Sequence, residues 1–375
     1  MAESFHATAL SWIQELEVLV IDLRQAGGLP LCEPQKTKGI YPSSGILIEE
    51  LSPDTAAKAQ ERQLQEQLIS NSCLVVALYA ADSVLLTPWT THQLGIASRD
   101  LLQALAPSGL LAVAENMLQG VAGQQQPTHE QFLVSALPHL LSHFKLCFNH
   151  DVYQYEKAQV PKESGPDAFT RCLAARQLAF LVRQLGYQQL GTILPAALPC
   201  VLATVKDQSP AVQCYGLHAL RHISEEVLSA DLKPHQQQLM TVAAESLVGC
   251  DDAVWTVAAP TACAILCSMG SSCQGPGHQE VMRELLRQAE KQCHKKVRRL
   301  AWLEAIKPVF AVLGLQTLRF FSKLMPLLLN WCQEPDLATQ LKALEVLQEI
   351  VRHTWPRMPA HASFLWTFLA NVRHV

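Results

Sequence analysis

The chain has 375 residues, 49% of them hydrophobic and 17% charged, with a net charge of −4 and a pI near 6.4. That length exceeds what one compact core accommodates, and so slight an acidity excludes the broad basic field of a nucleic-acid binder. Charge well below the typical quarter of residues fits helices buried on two faces, with some apolar surface covered by a partner.

In chain order, Phe5 to Gln25 predicts an amphipathic helix, with Leu10, Ile13, Leu16, Val20 and Leu23 recurring at threes and fours. Gly27, Gly28 and Pro30 stop it. Glu3, Glu15 and Glu17 stand where a secretory leader would be basic or apolar, so no signal peptide is expected. Leu29 to Pro53 is rich in Pro, Gly and Ser and predicts a long loop. Ser52-Pro53-Asp54 opens a helix predicted to reach Ala81. Pro88-Trp89-Thr90-Thr91 then starts a helix from about His92 to Leu105. Leu110 to Val121 and Glu130 to Phe148 predict two more. Tyr153 to Gly165, polar and broken by Pro161, reads as a boundary. The expected organisation is an N-terminal helix over 1–28, a loop over 29–53, a helical block over 54–152 and a repeat array over 167–375.

The repeats are the strongest signal. Similar segments begin at Phe169, Val212, Val254, Val297 and Leu337. Each opens on an apolar residue, places a small residue six to eight positions on, and continues apolar at helical spacing. A period of roughly 40 to 47 residues marks HEAT and armadillo arrays. Such a unit cannot bury its own apolar face and must stack on its neighbours. Two helices joined by a short turn are expected in each unit. Asp207-Gln208-Ser209-Pro210, Asp251-Asp252 and Glu334-Pro335-Asp336 predict helix starts, and Ser271 to Gly277 predicts a loop. No strand alternation appears. The fold class expected is all-α, a HEAT/armadillo-like solenoid, its last helix running from Ala362 to Val372. No run of eighteen uncharged apolar residues is expected to cross a membrane, because Leu133 to Leu146 is interrupted by Pro138, His139 and His143.

The residues that could carry chemistry are few. His139, His143 and Cys147 share one helical face, as do His218 and His222, but neither set has an H-E-x-x-H pattern or a nearby carboxylate. Packing or surface roles are the better reading. Cys263 and Cys267 sit among alanines and leucines with Cys273 beyond, and read as inert core thiols. The twelve cysteines show no C-x-x-C spacing, which suits a reduced, intracellular and soluble protein. Phosphate-binding loops, dinucleotide fingerprints and nucleophile elbows are missing, so neither a cofactor nor catalysis is expected. The dense basic run from Lys291 to Arg299 reads as the solvated start of a helix, with an acidic partner as the other reading. Among the tryptophans, Trp89, Trp331, Trp355 and Trp366 are packing residues or interface anchors.

Three segments, in order along the helical repeats, carry a resemblance. They are Pro88-Trp89-Thr90-Thr91 with its helix, Gly216-Leu217-His218-Ala219-Leu220-Arg221-His222-Ile223 followed by Ala230-Asp231-Leu232, and His353-Thr354-Trp355-Pro356-Arg357. Over roughly Leu74 to Arg357 the chain resembles the family of the second Tel-two-interacting protein, the smallest subunit of the TTT cochaperone complex. The resemblance implies a HEAT-like solenoid without catalytic residues. It implies Tel-two and the first Tel-two-interacting protein as direct partners. It also implies a part in stabilising phosphatidylinositol-3-kinase-related kinases with the ninety-kilodalton heat-shock chaperone and its R-two-TP adaptor, in the cytoplasm and also the nucleus. The N-terminus is less alike, and family members extend well beyond the HTWPR-like segment, after which only eighteen residues follow here.

The residues expected to bind a partner or shape the array are Trp89, Trp331, Arg352, Trp355 and Arg357. Pro356 is expected to turn Trp355 out of helix and close the helix before it. The alternative function is an armadillo-type peptide-binding adaptor for transport or assembly. Its groove would carry Asn and Trp ladders, yet the asparagines are only Asn71, Asn116, Asn149, Asn330 and Asn371. A metal-dependent enzyme using His139, His143 and Cys147 is the remaining alternative.

Overall fold

A computed structural model describes residues 129–148, 168–270 and 275–361, together with Leu74, Ala77 and Leu365. The chain divides into two units between Leu140 and Leu141, and the second carries most of the described residues. The helix expected over 1–28, the loop over 29–53, the helices over 92–105 and 110–121 and the boundary over 153–165 lie outside the described residues, as do Trp89, Trp366 and Cys273; of the helices expected over 54–81 and 362–372 only Leu74, Ala77 and Leu365 are described.

Every regular element among the described residues is helical. In order these are α1 (His129–Phe148), α2 (Ala168–Arg183), α3 (Tyr187–Val205), α4 (Pro210–Glu226) and the four-residue α5 (Ser229–Leu232). Then come α6 (Gln236–Ser246), α7 (Asp252–Ser268), α8 (Pro276–Lys291), α9 (Lys296–Leu313), α10 (Phe321–Trp331) and α11 (Leu337–Thr354). Single 3₁₀ segments lead into α6 (Lys233–His235) and α10 (Gly314–Phe320), and another, Trp355–Ala360, follows α11. The repeating segments of the sequence are α2, α4, α7, α9 and α11. They stack in that order, each on the next, as the first helices of successive hairpins. The second helices α3, α6, α8 and α10 form the other layer, where neighbours touch less extensively. The chain is a HEAT/armadillo-like helical-repeat solenoid.

The small residues of each segment explain the tight first layer. Ala174, Ala175, Ala219, Ala258, Ala259, Ala262 and Ala343 are buried in these helices, as are the larger Leu178, Leu220, Ile265, Ile306 and Ile350. Gly216 is the closest approach: a Cβ there would meet the Thr204 side chain and come within 2.8 Å of the Val205 nitrogen, so α4 presses backbone to backbone on the end of α3. Burying each large aliphatic side chain stabilises the array by roughly 1.5–3 kcal/mol. Trp302 and Trp331 meet edge to face at 5.4 Å, joining α9 to α10.

Prolines lie inside α1, α3, α7, α9 and α10, at Pro138, Pro195, Pro199, Pro260, Pro308 and Pro326. Each removes one backbone donor from a helix that tertiary packing holds together. Elsewhere the local signals act as read: Pro210 is the first residue of α4, and Asp207 accepts the Ser209 N–H at 2.8 Å just before it. The Ser271–Gly277 loop is shorter than expected, because Pro276 already begins α8. Asp336, and not its neighbour Pro335, governs the start of α11, capping it by accepting from the Thr339 N–H at 3.2 Å. At Gly314 the chain takes φ 51°, a conformation that closes α9 without a Cβ clash.

Two stretches reach membrane-spanning length and hydropathy by composition, against the expectation of none: Tyr187–Val205 and Lys296–Trp331. In the first, 56% of the apolar window is buried inside the protein; the second joins α9, a 3₁₀ segment and α10.

The basic run is where the structure departs most from the sequence reading. It does start α9, with the Lys295 and Lys296 side chains exposed to solvent, but Arg298 and Arg299 are buried and the run clasps three hairpins. Lys295 Nζ and Arg298 Nε donate to the Asp252 carboxylate of the preceding hairpin at 2.8 and 2.5 Å. Lys296 Nζ donates to Asp336 of the following hairpin at 2.7 Å, and Arg299 pairs with Glu334 at 3.4 Å. Arg298 also donates to the Cys250 carbonyl at 2.6 Å, and Arg299 to the Cys293 carbonyl at 2.8 Å. The same logic recurs along the array, with Arg171 on Asp207 at 2.8 Å and reciprocal pairs Lys307–Glu345 and Lys342–Glu304, both at 2.7 Å.

Candidate protein-interaction surface

The surface that the sequence singles out lies at the end of α11. Thr354, fully buried, donates its hydroxyl to the Ile350 carbonyl at 2.6 Å. Pro356 has no N–H to extend the helical ladder, so the chain tightens into the 3₁₀ segment Trp355–Ala360. Trp355 nevertheless keeps right-handed helical angles (φ −46°, ψ −37°), contrary to the expectation that proline would turn it out of helix. Met358 anchors the segment from below. It packs with Met325, Leu347 and Leu365, and Leu318, Phe321 and Val351 surround that cluster.

With Met358 held inside, the turn displays its other side chains. Trp355 is 70% exposed, the most exposed large hydrophobic residue among those described. Pro356 and Arg357 are exposed beside it, and Arg357 has no ion pair among the described residues. Arg352, one turn earlier, donates to Glu349 at 2.7 Å, while His353 lies 3.3 Å from the same carboxylate. The Arg352–Glu349 pair is solvent-facing and adds little to stability. An indole and a guanidinium on a rigid, proline-stiffened turn are groups enriched in interface anchors. Trp331 is different. It is 1% exposed, packs against Trp302, and contributes to the core without presenting any surface.

The histidine and cysteine sets have ordinary surroundings. The Cys147 Sγ lies 3.8 Å from His143 Nε2 on the outer face of α1, and the His139 side chain lies outside the described residues. His222 Nε2 bonds the Leu185 carbonyl at 2.9 Å, tying α4 to the turn after α2. Among the described residues no group of three or more His, Cys, Asp or Glu is arranged to hold a metal ion. Burial pushes the Cys263 thiol far up and raises Cys267 to about 11, which disfavours the thiolate.

No family model matches the chain. It is 29% identical over 186 residues to an uncharacterized protein of Arabidopsis thaliana, a match covering 49% of this chain and 42% of that relative's length. Among solved structures it is similar to Kap121p bound to Pho4p, with a TM-score of 0.55, 13% identity, and coverage of 86% of this chain and 35% of that one. The karyopherin Kap121p bound to the extreme C-terminus of the phosphatase Cdc14p gives a TM-score of 0.50 at 14% identity, covering 78% and 30%. At such identities the likeness is one of fold: stacked helical repeats.

Proposed function

We propose that this chain is a non-catalytic scaffold that binds other proteins through its helical-repeat surface. In the finer reading it is a subunit of the TTT complex, held to Tel-two and the first Tel-two-interacting protein. Through them, and with the ninety-kilodalton heat-shock chaperone system, it supports the folding, stability and assembly of phosphatidylinositol-3-kinase-related kinases. The observation that carries the reading is the exposed Trp355 and Arg357 on a turn pinned by Met358, within the HTWPR segment that resembles that family. An array whose order comes from stacked hairpins offers a long surface to other proteins.

Affinity purification of the full chain from cells, read by mass spectrometry and repeated with Trp355→Ala, tests the proposal. Recovery of the two other TTT subunits with the wild type, reduced with the variant, supports it. Recovery of nuclear-import cargo in their place supports the armadillo-type adaptor, a reading compatible with the fold shared with Kap121p. Against the adaptor, Trp255, Trp302 and Trp331 are all buried and line no groove.

A further inference from the structure

The corner that displays Trp355 is built from two stretches of chain. One is the 3₁₀ segment Gly314–Phe320 with the start of α10; the other is the end of α11 with the 3₁₀ segment Trp355–Ala360. Leu318 and Phe321 of the first pack on the cluster that holds Met358 of the second, and the Phe321 and His361 rings lie 5.5 Å apart. What this closure leaves outside is apolar and basic. Trp355, Pro356 and Pro359 are exposed, and so are Arg319, Lys323 and Arg357.

Charge is segregated at this corner. The chain carries 33 Asp and Glu and a net charge of −4, yet Gly314 to Gln333 and Ile350 to Val375 contain no acidic residue. The carboxylates that border these stretches are already engaged: Glu349 by Arg352 at 2.7 Å, with His353 at 3.3 Å, and Glu334 by Arg299 at 3.4 Å. Arg319, Lys323 and Arg357 have no ion pair among the described residues. Elsewhere in the array a cation on one hairpin meets a carboxylate of the next, as Lys296 meets Asp336 and Lys307 meets Glu345. The corner therefore presents the cationic half of the joint that the array uses between its own units, beside an indole that is 70% exposed.

We propose that this corner docks an acidic segment of a partner protein, with an apolar side chain of that segment against Trp355 and its carboxylates at Arg357 and Lys323. The proposal rests on the scaffold reading above, to which it adds the chemistry of the partner's side, but not on which complex the chain joins.

Fluorescence anisotropy on the purified full chain tests it. The probe is a fluorescein-labelled Gly-Ser peptide with a central Glu-Leu-Glu-Glu-Leu-Glu; a counterpart carries Gln in place of every Glu. The Glu probe is expected to bind about tenfold more tightly than the Gln probe, the scale of two solvent-accessible charge contacts, and to lose that margin as salt rises to about 0.5 M. A double variant, Arg357→Glu with Lys323→Glu, both at exposed positions, is expected to erase the margin, and Arg357→Lys to keep it. Lys233→Glu, at an exposed cation on the segment before α6, should leave it unchanged. Trp355→Ala is expected to weaken both probes alike. Equal affinity for the two probes, a margin that survives the double variant, or no binding of the Glu probe at about 1 mM overturns the proposal. Co-sedimentation with phosphatidylserine vesicles, without discrimination between the peptides, would overturn it in favour of a membrane surface. If the TTT subunits are recovered but the margin is absent, the acidic segment fails alone. If the margin stands and other proteins are recovered, the complex assignment fails alone.

Discussion

The Arg298 guanidinium lies 5.3 Å over the ring of Trp255, and the Trp255 indole N–H donates to the Arg298 carbonyl at 3.2 Å. Two residues 43 positions apart thus hold each other by side chain and backbone, one repeat length along the chain. Arg298→Met should destabilise the protein by about 2 kcal/mol, because it removes charge-assisted bonds to Asp252 and to the Cys250 carbonyl from a side chain 6% exposed. Lys295→Ala, at the solvent-facing arm of the same clasp, should stay within about 0.5 kcal/mol. Urea unfolding of both variants separates the two; equal losses would deny Arg298 its special place.

Gly216→Ala should cost about 1–3 kcal/mol, since the added methyl would have to push α4 away from the Val205 backbone. Gly191→Ala is the contrast. Its Cβ would meet only the Asp231 carboxylate at 3.4 Å, an ordinary contact, and it lies inside α3, so alanine should be neutral or stabilising there. Thermal melts of the pair give the answer, and a harmless Gly216→Ala would contradict the close approach.

Trp355→Ala and Trp331→Ala should behave oppositely. Trp355 is solvent-facing, so its loss should leave the melting temperature within about 2 °C while lowering recovery of partner proteins. Trp331 is buried against Trp302, so its truncation should cost about 3–5 kcal/mol. A large stability loss at Trp355 would recast it as a packing residue.

Acid should loosen the joint between α9 and α11. The Lys296 ammonium, with the Thr339 hydroxyl and N–H, holds the Asp336 carboxyl down to about 2. A depressed carboxyl stabilises the folded state above its unfolded pKa and loses that contribution as pH falls through the folded value. The loss therefore falls between about pH 4 and pH 2. Denaturation midpoints for Asp336→Asn should fall less steeply across that window than those of the wild type. Parallel curves would mean the pair is screened by solvent.

Period and fold class were readable because apolar spacing and small residues recur at Val212, Val254, Val297 and Leu337, and packing demands both. The partners of the basic run were not. Lys296 finds Asp336 across 40 residues and Arg298 finds Asp252 across 46, and a linear pattern of charge does not say which repeat a side chain reaches. Sequence did contain a usable hint, since acidic residues at 251–252 and 334–336 flank the basic run at about one period on either side. Trp355 and Trp331 look alike in sequence, each near a proline or a helix end. Only the facing of α10 toward Trp302 separates a core residue from a displayed one.

The clasp of Arg298 on Asp252 and Arg299 on Glu334 lies toward the C-terminal end of the described array and joins only adjacent units. In such a one-dimensional system a broken link does not soften everything equally. It frees the hairpins on either side to melt as independent blocks. A calorimetric scan of a variant lacking both arginines should accordingly resolve two heat-absorption peaks where the intact chain gives a single cooperative one.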